Sequence, residues 1–152
     1  MVSNFRQRVF AAKTVAGLGA FPPQAVNGSS AILGSIIDRM SVQSAKLVLE
    51  RAVVTGAPSA AAFAVVIQHG AQANLSDAST FVTLETALSV LLAGLTEYLI
   101  NLEGAHRYIR VSITPTYTGG TIPANVVAGE MVLGDRAEDP LVENETVYGA
   151  SL

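Results

Sequence analysis

Ile109-Arg110-Val111-Ser112-Ile113-Thr114 is the stretch that decides the fold. Its apolar residues fall on every second position, and side chains two apart project from one face of a strand. Ile109, Val111 and Ile113 make one row; Arg110, Ser112 and Thr114 make the other. A helix would repeat its apolar residues at three and four positions, and this stretch does not. The same spacing recurs outward along the chain. Phe63, Val65, Ile67 and His69 alternate with Ala64, Val66 and Gln68. Leu47, Leu49, Arg51 and Val53 face away from Lys46, Val48 and Glu50, and Val126, Ala128 and Val132 from Val127, Gly129, Met131 and Leu133.

Turn formers separate these runs: Thr55-Gly56-Ala57-Pro58, Glu103-Gly104, Thr118-Gly119-Gly120 and Gly134-Asp135. Short strands punctuated by Gly and Pro predict an all-β, antiparallel sandwich rather than strand–helix–strand units. The sandwich is expected over residues 31–134, with an extended arm over 1–30 and an acidic tail over 135–152. Phe63 to Ile67 and Val126 to Leu133 are apolar on both faces, so these strands are expected to be covered on two sides. Residues 84–95 fit two templates. Leu84, Leu88, Leu91, Leu92 and Leu95 make a helical stripe, while Leu88, Val90 and Leu92 make a strand row. Their β neighbours favour the strand.

Composition bounds the function. The 152 residues suit one domain with a real core. Half are hydrophobic and mean hydropathy is +0.44, while charged residues are 14% against roughly 25% in ordinary soluble domains. A membrane or a protein surface is therefore expected to cover part of the chain. A membrane helix needs about 20 apolar residues. Ala87 to Leu95 is about half that length, between Glu85 and Glu97, so the expected partner is protein rather than membrane. The net charge of −3 argues against nucleic acid. His106-Arg107-Tyr108-Ile109-Arg110 is the only local mix of basic and aromatic residues, with no second basic strand beside it.

Charge is segregated along the chain. Residues 1–37 carry Arg6, Arg8 and Lys13 and no acid, whereas 134–152 carry Asp135, Glu138, Asp139, Glu143 and Glu145 against Arg136 alone. Opposite charges on two ends suit contact between neighbouring subunits, or simply two solvated tails. The basic start is not expected to be a removed leader, because Lys13 interrupts its apolar stretch and Pro22-Pro23 follow. Gly17, Gly19, Pro22, Pro23 and Gly28 leave residues 1–30 without a core of their own. Phenylalanines there would need burial on a neighbour, which makes Phe5, Arg6, Arg8, Phe10 and Phe21 the candidate partner contacts.

Catalytic chemistry finds few candidates. No cysteine is present, so disulfides, thiolate ligands and cysteine nucleophiles are excluded. His69 and His106 are the only histidines, and a zinc site would need both plus a carboxylate brought together in space. Neither lies in a spaced ligand motif, and both read as strand-end residues. There is no G-x-S-x-G elbow and no phosphate loop ending in Gly-Lys. Gly17-Leu18-Gly19 lacks the third glycine and the flanking strand and helix of a dinucleotide fingerprint. Glu50, Glu85, Glu97, Glu103 and Glu130 are the carboxylates a glycosidase pair could draw on. Glu130, inside an apolar strand, is expected to face outward and to pair with Arg107 or Arg110. A sugar site would also want aromatic platforms, and there is no tryptophan.

Arg107-Tyr108-Ile109-Arg110-Val111-Ser112-Ile113-Thr114-Pro115 follows Leu102-Glu103-Gly104-Ala105-His106 and precedes Val132-Leu133-Gly134. Together they resemble a family of small structural proteins of tailed bacteriophages. In that family a glycine-led R-Y-(V/I)-R strand runs into T-P and, later, an A-V-L-G-like strand. Val66-Ile67-Gln68-His69-Gly70 with Leu75-Ser76-Asp77-Ala78 is similar to its V-Q-H-(G/S)…L-S-D-A region, and Asp38 sits where the family often opens its first sandwich strand. The likeness spans roughly residues 36–134 and rests on order and spacing. The longer N-terminal segment and acidic tail depart from the pattern and leave the mode of attachment open. The resemblance implies a jelly-roll-like, non-enzymatic capsid cement or decoration protein without cofactors. It would bind the major capsid protein shell and neighbouring copies of itself at the virion surface. The alternatives are another virion part, such as a tail or head-completion component, or a sandwich-type glycan-binding module.

Overall fold

The computed structural model describes residues 9–12, 19–40 and 42–136. The strands are β1 (Val9–Ala12), β2 (Phe21–Asn27), β3 (Ile32–Leu33), β4 (Ile37–Asp38), β5 (Val42–Arg51), β6 (Ala60–Gly70), β7 (Ser79–Ser89), β8 (Gly94–Asn101), β9 (Tyr108–Thr118) and β10 (Ala124–Arg136). All pairings are antiparallel, and no described helix is long and apolar enough to cross a membrane.

One sheet runs β1-β10-β5-β8 with β2 beside β1 along β10; the other runs β3-β9-β6-β7 with β4 beside β3 along β9. The pairings nest. The first two strands pair with the last (β1 and β2 with β10), then β3 and β4 with β9, β5 with β8, and β6 with β7. That is a long hairpin rolled up, and the lateral pairs β10–β5 and β9–β6 stitch the roll into two facing sheets. The expected jelly-roll-like antiparallel sandwich is the architecture found.

The alternating rows point as their period requires. Leu47 and Leu49 from β5, Phe63, Val65 and Ile67 from β6, Ile109, Val111 and Ile113 from β9, and Val127, Met131 and Leu133 from β10 fill one core between the sheets. Each buried side chain of this size stabilises the fold by about 1.5–3 kcal/mol relative to exposure. Pro115 interrupts β9 beyond the Ile113–Ile32 pair, where β9 has lost β3 as its outer neighbour. A proline costs no ladder bond on such an edge.

Residues 84–95 are strand at both ends, as favoured, and broken by a turn, while residues 21–27 differ from their expected form. Residues 84–95 contain the end of β7, a tight turn at Val90-Leu91-Leu92-Ala93 and the start of β8. Val90 is buried and its N–H donates to the Ala61 carbonyl at 3.0 Å, so the chain reverses over the core edge. Residues 21–27 belong to the sandwich. β2 pairs with β10 from Ala124↔Asn27 to Gly129↔Phe21, and Phe21 is 0% exposed. It needs no neighbouring molecule for burial, which corrects its reading as an arm contact. The space is made by glycines, because a Cβ at Gly129 would stand 3.0 Å from Phe21 Cβ and 2.7 Å from Leu49 Cδ2. The Tyr117 hydroxyl donates to the Val26 carbonyl at 2.6 Å and ties β2 across to β9.

Candidate functional site

Both histidines and the motifs around them converge at one end of the sandwich. The β6–β9 register sets Gln68, His69 and Gly70 opposite Arg110, Ile109 and Tyr108, and β4 sets Asp38 opposite Tyr108. His69 and His106, 37 positions apart, come together with ring centroids 4.6 Å apart. His69 also lies 5.1 Å from the Phe81 ring. The His106 backbone N–H donates to His69 Nδ1 at 3.0 Å, so that nitrogen is already engaged as an acceptor. Burial first, then the charges of His106 and Arg39, push the His69 pKa down against the opposing pull of Asp77. No group of three or more His, Asp or Glu among the described residues is placed to hold a metal ion.

The rest of this corner holds backbone. Asp77 accepts from the Ala71 N–H at 2.8 Å and the Gln72 N–H at 3.2 Å, and the Ala71 bond leads in holding its carboxyl below the usual range. Gly70 has no Cβ because one would meet Leu75 Cδ2 at 2.8 Å and the Asp77 carboxylate closer still. Leu75 enters the left-handed region (φ 51°) to reach its buried position. The Arg39 guanidinium donates to the carbonyls of Ala105, His106 and Val42, binding the turn before β9 to the start of β5. Arg107 grips Asp38 at 2.8 Å, and Arg110 Nε donates to Gln68 at 2.7 Å. These groups are spent on one another, and the arrangement is a scaffold clamp.

The carboxylates are dispersed. Glu97 pairs with Lys46 at 2.9 Å on the outer face of the first sheet. Glu130 is exposed and faces outward as expected, but on β10 it lies in the opposite sheet from Arg107 and Arg110, so the expected ion pair does not form. Glu85 stands on β7 near Tyr98. Burial foremost and the Glu85 charge next push the Tyr98 hydroxyl up to about 12, with Arg51 opposing. The Tyr98 hydroxyl and Arg51 Nε are buried without a hydrogen-bond partner among the described residues. An open depression of about 390 Å³ is lined by Gly28, Ser29, Thr114, Pro115, Tyr117 and Pro123. Its one titratable group, the Tyr117 hydroxyl, is the donor to Val26.

Apolar surface is more conspicuous than polar chemistry. Leu95, Leu99, Val126, Leu92 and Ile122 are all more than half exposed, with Leu99 at 85% and Ile122 at 84%. Register places Leu95 beside Glu50 and Ala128, Glu97 beside Val48 and Glu130, and Leu99 beside Lys46 and Val132. The outer face of the β8-β5-β10 sheet is thus an apolar field crossed by three glutamates and one lysine. Ile122 holds φ 48°, an uncommon conformation for a β-branched residue.

No protein-family model matches the chain, and no curated protein matches it. Among solved structures, one match is described as "Structure of infectious bursal disease virus Gx strain", at 12% identity and a TM-score of 0.49, covering 79% of this chain and 31% of that one. The chain therefore spans about a third of that neighbour's length.

Of the sequence-derived contacts, Phe5, Arg6 and Arg8 lie outside the described residues, Phe10 is on β1, and Phe21 is in the core. Sequence reasoning missed the outer-face leucines. Leu95 and Leu99 flank Glu97 at period two, which was the available signal, but the helical stripe through Leu84–Leu95 competed with it.

Proposed function

We propose that this chain is a non-enzymatic structural protein of a tailed-phage virion: a cement or decoration protein at the capsid surface. It binds the assembled shell of major capsid protein and neighbouring copies of itself. The observation that carries the reading is the exposed apolar field on the first sheet, with Leu99 at 85% and Leu95 at 58%, in a chain with only 14% charged residues. Large apolar side chains left this exposed, even between charged neighbours, suit a face that another protein covers. The family-like residues also support it. Asp38, Gln68-His69-Gly70, Asp77 and Arg107–Arg110 form one mutual clamp, as determinants of a shared fold would.

Attachment fits a weak contact repeated many times. Burial contributes roughly 25 cal/mol per Å² of apolar area. Association itself is costly, so one contact binds weakly, while many on a symmetric shell hold firmly. Phe5, Arg6, Arg8 and Phe10 remain the proposed segment contacts, joined by the outer-face leucines.

The test adds purified full-length chain to shells that lack it and measures bound copies and the temperature of shell disruption. Saturable binding that raises the disruption temperature is expected. Deleting residues 1–8 should preserve folding and reduce binding sharply. Full binding by the deletion variant removes the segment from the mechanism, and no binding by the intact chain refutes the cement role.

A further inference from the structure

The two sheets end on the same side of the sandwich in β7 and β8, and these two edges are built differently. β7 pairs with β6 through three register shifts, at Phe63/Val65, Val65/Val66 and Ile67/Gln68. Such bulges twist an edge and spoil it as a template. β8 pairs with β5 without any shift over Gly94–Asn101. It carries no proline and no lysine, and its one charge is Glu97. Long, regular, apolar edges are what monomeric proteins avoid.

The direction of the free backbone groups follows from the ladder. The Leu102 N–H donates to the Gln43 carbonyl at 2.7 Å, which makes Leu102 a hydrogen-bonded position facing β5. Antiparallel positions alternate, so Ile100, Tyr98 and Thr96 also turn their backbone groups to β5. Leu95, Glu97, Leu99 and Asn101 therefore aim their N–H and C=O groups away from the sheet, and no described strand receives them.

We infer that β8 pairs antiparallel with β8 of a second copy about a two-fold axis at Tyr98, joining the first sheets of two molecules into one. In that register Glu97 faces Leu99 of the other copy and Leu95 faces Asn101, giving about eight inter-strand hydrogen bonds from groups that are unpaired among the described residues. The charges suit a second copy. Each Glu97 is neutralised in place by its own Lys46 at 2.9 Å, and the register sets leucine, not glutamate, opposite it. An axis at Glu97 would set like charges face to face. Tyr98 at the axis is also the residue whose buried hydroxyl has no partner among the described residues. An edge-only contact is smaller than a standard interface, so the free dimer is weak and gains strength where copies are held close together.

This inference deepens the self-contact within the proposed function. Its test uses free full-length protein, so failure of edge pairing and failure of shell binding show separately. Amide exchange by NMR is measured at two concentrations about fiftyfold apart, alongside sedimentation velocity. Thr96, Tyr98 and Ile100 amides should be protected at both concentrations. Those of Leu95, Glu97, Leu99 and Asn101 should slow at least about tenfold at the higher one, together with a dimer boundary. Leu99→Glu should abolish both effects, because it sets a like charge directly opposite Glu97 of the other copy. Leu99→Pro provides a second variant, because the Leu99 N–H points away from β5 and its loss leaves that ladder whole. Concentration-independent exchange at the four outward amides overturns the inference. Fast exchange would mean an open edge, and slow exchange a cover from the same chain. A dimer that survives either substitution also overturns it.

Discussion

Replacing Phe21 by alanine separates two roles that one side chain cannot share. Phe21 is 0% exposed, opposite Gly129 and against the glycine-lined path of β2. Removing a buried phenylalanine ring costs about 3–5 kcal/mol, at the upper end where rigid neighbours cannot collapse into the gap. Backbone crowds this site: the Phe21 ring lies within 3.1 Å of where a Cβ on Gly34 would be, beside the Val111 carbonyl. Collapse is therefore limited, and about 4 kcal/mol is expected. For a chain of this length each kcal/mol shifts Tm by about 2–4 °C, so Phe21→Ala should lower Tm by about 8–16 °C. Urea unfolding followed by tyrosine fluorescence and far-UV circular dichroism gives the free energy, and differential scanning calorimetry gives Tm. An unchanged Tm with loss of binding to shells would show that Phe21 serves a partner and refute the core assignment.

Four smaller effects follow from the same contacts. Tyr117→Phe removes the 2.6 Å bond to the Val26 carbonyl and should cost about 0.5–1.5 kcal/mol in urea unfolding. Ile122→Gly relieves a left-handed, exposed isoleucine and should gain about 1 kcal/mol, while weakening shell binding if Ile122 is a contact. Arg39→Met strips donors from the Ala105, His106 and Val42 carbonyls and should cost at least about 1.5–3 kcal/mol by chemical denaturation. The acid side of the stability profile tests the clamp. The His69 pKa is lowered by burial, His106 and Arg39 against Asp77, so its contribution is complete above the ordinary value of 6.5 and fades as pH falls through the lowered one. Asp77, also lowered, acts above 3.8 and fades as pH falls through its folded value. His69→Gln should flatten the first decline in a stability–pH series and leave the second.

The strand rows were legible because period two survives wherever one face is buried, as at Ile109–Ile113, Phe63–Ile67 and Leu47–Leu49. β2 was not. Phe21-Pro22-Pro23 looks like a breaker, and its partner Gly129 is more than a hundred positions away. Prolines are tolerated there because β2 is an outer strand whose register shifts between Val127 and Gly129. The one signal was Gly129 itself, since glycine inside an apolar row marks a close approach. Residues 84–95 were ambiguous for a similar reason. A turn buried through Val90 carries leucines on both sides, so neither period dominates. The clamp was half legible. The motifs around His69, Asp77 and Arg107 stood out by order, but spacing gives no hint that His69 meets His106 or that Arg107 chooses Asp38 over Glu130. Those choices are made by sheet membership, which only the nested pairing fixes.

Copy number in purified virus particles tests the proposed role most directly, by quantitative mass spectrometry against the major capsid protein of the same particles. A cement protein seated across the shell should be present in hundreds of copies per particle. Six or twelve copies would mark a ring or connector component instead, and absence from the particle would contradict a virion role altogether.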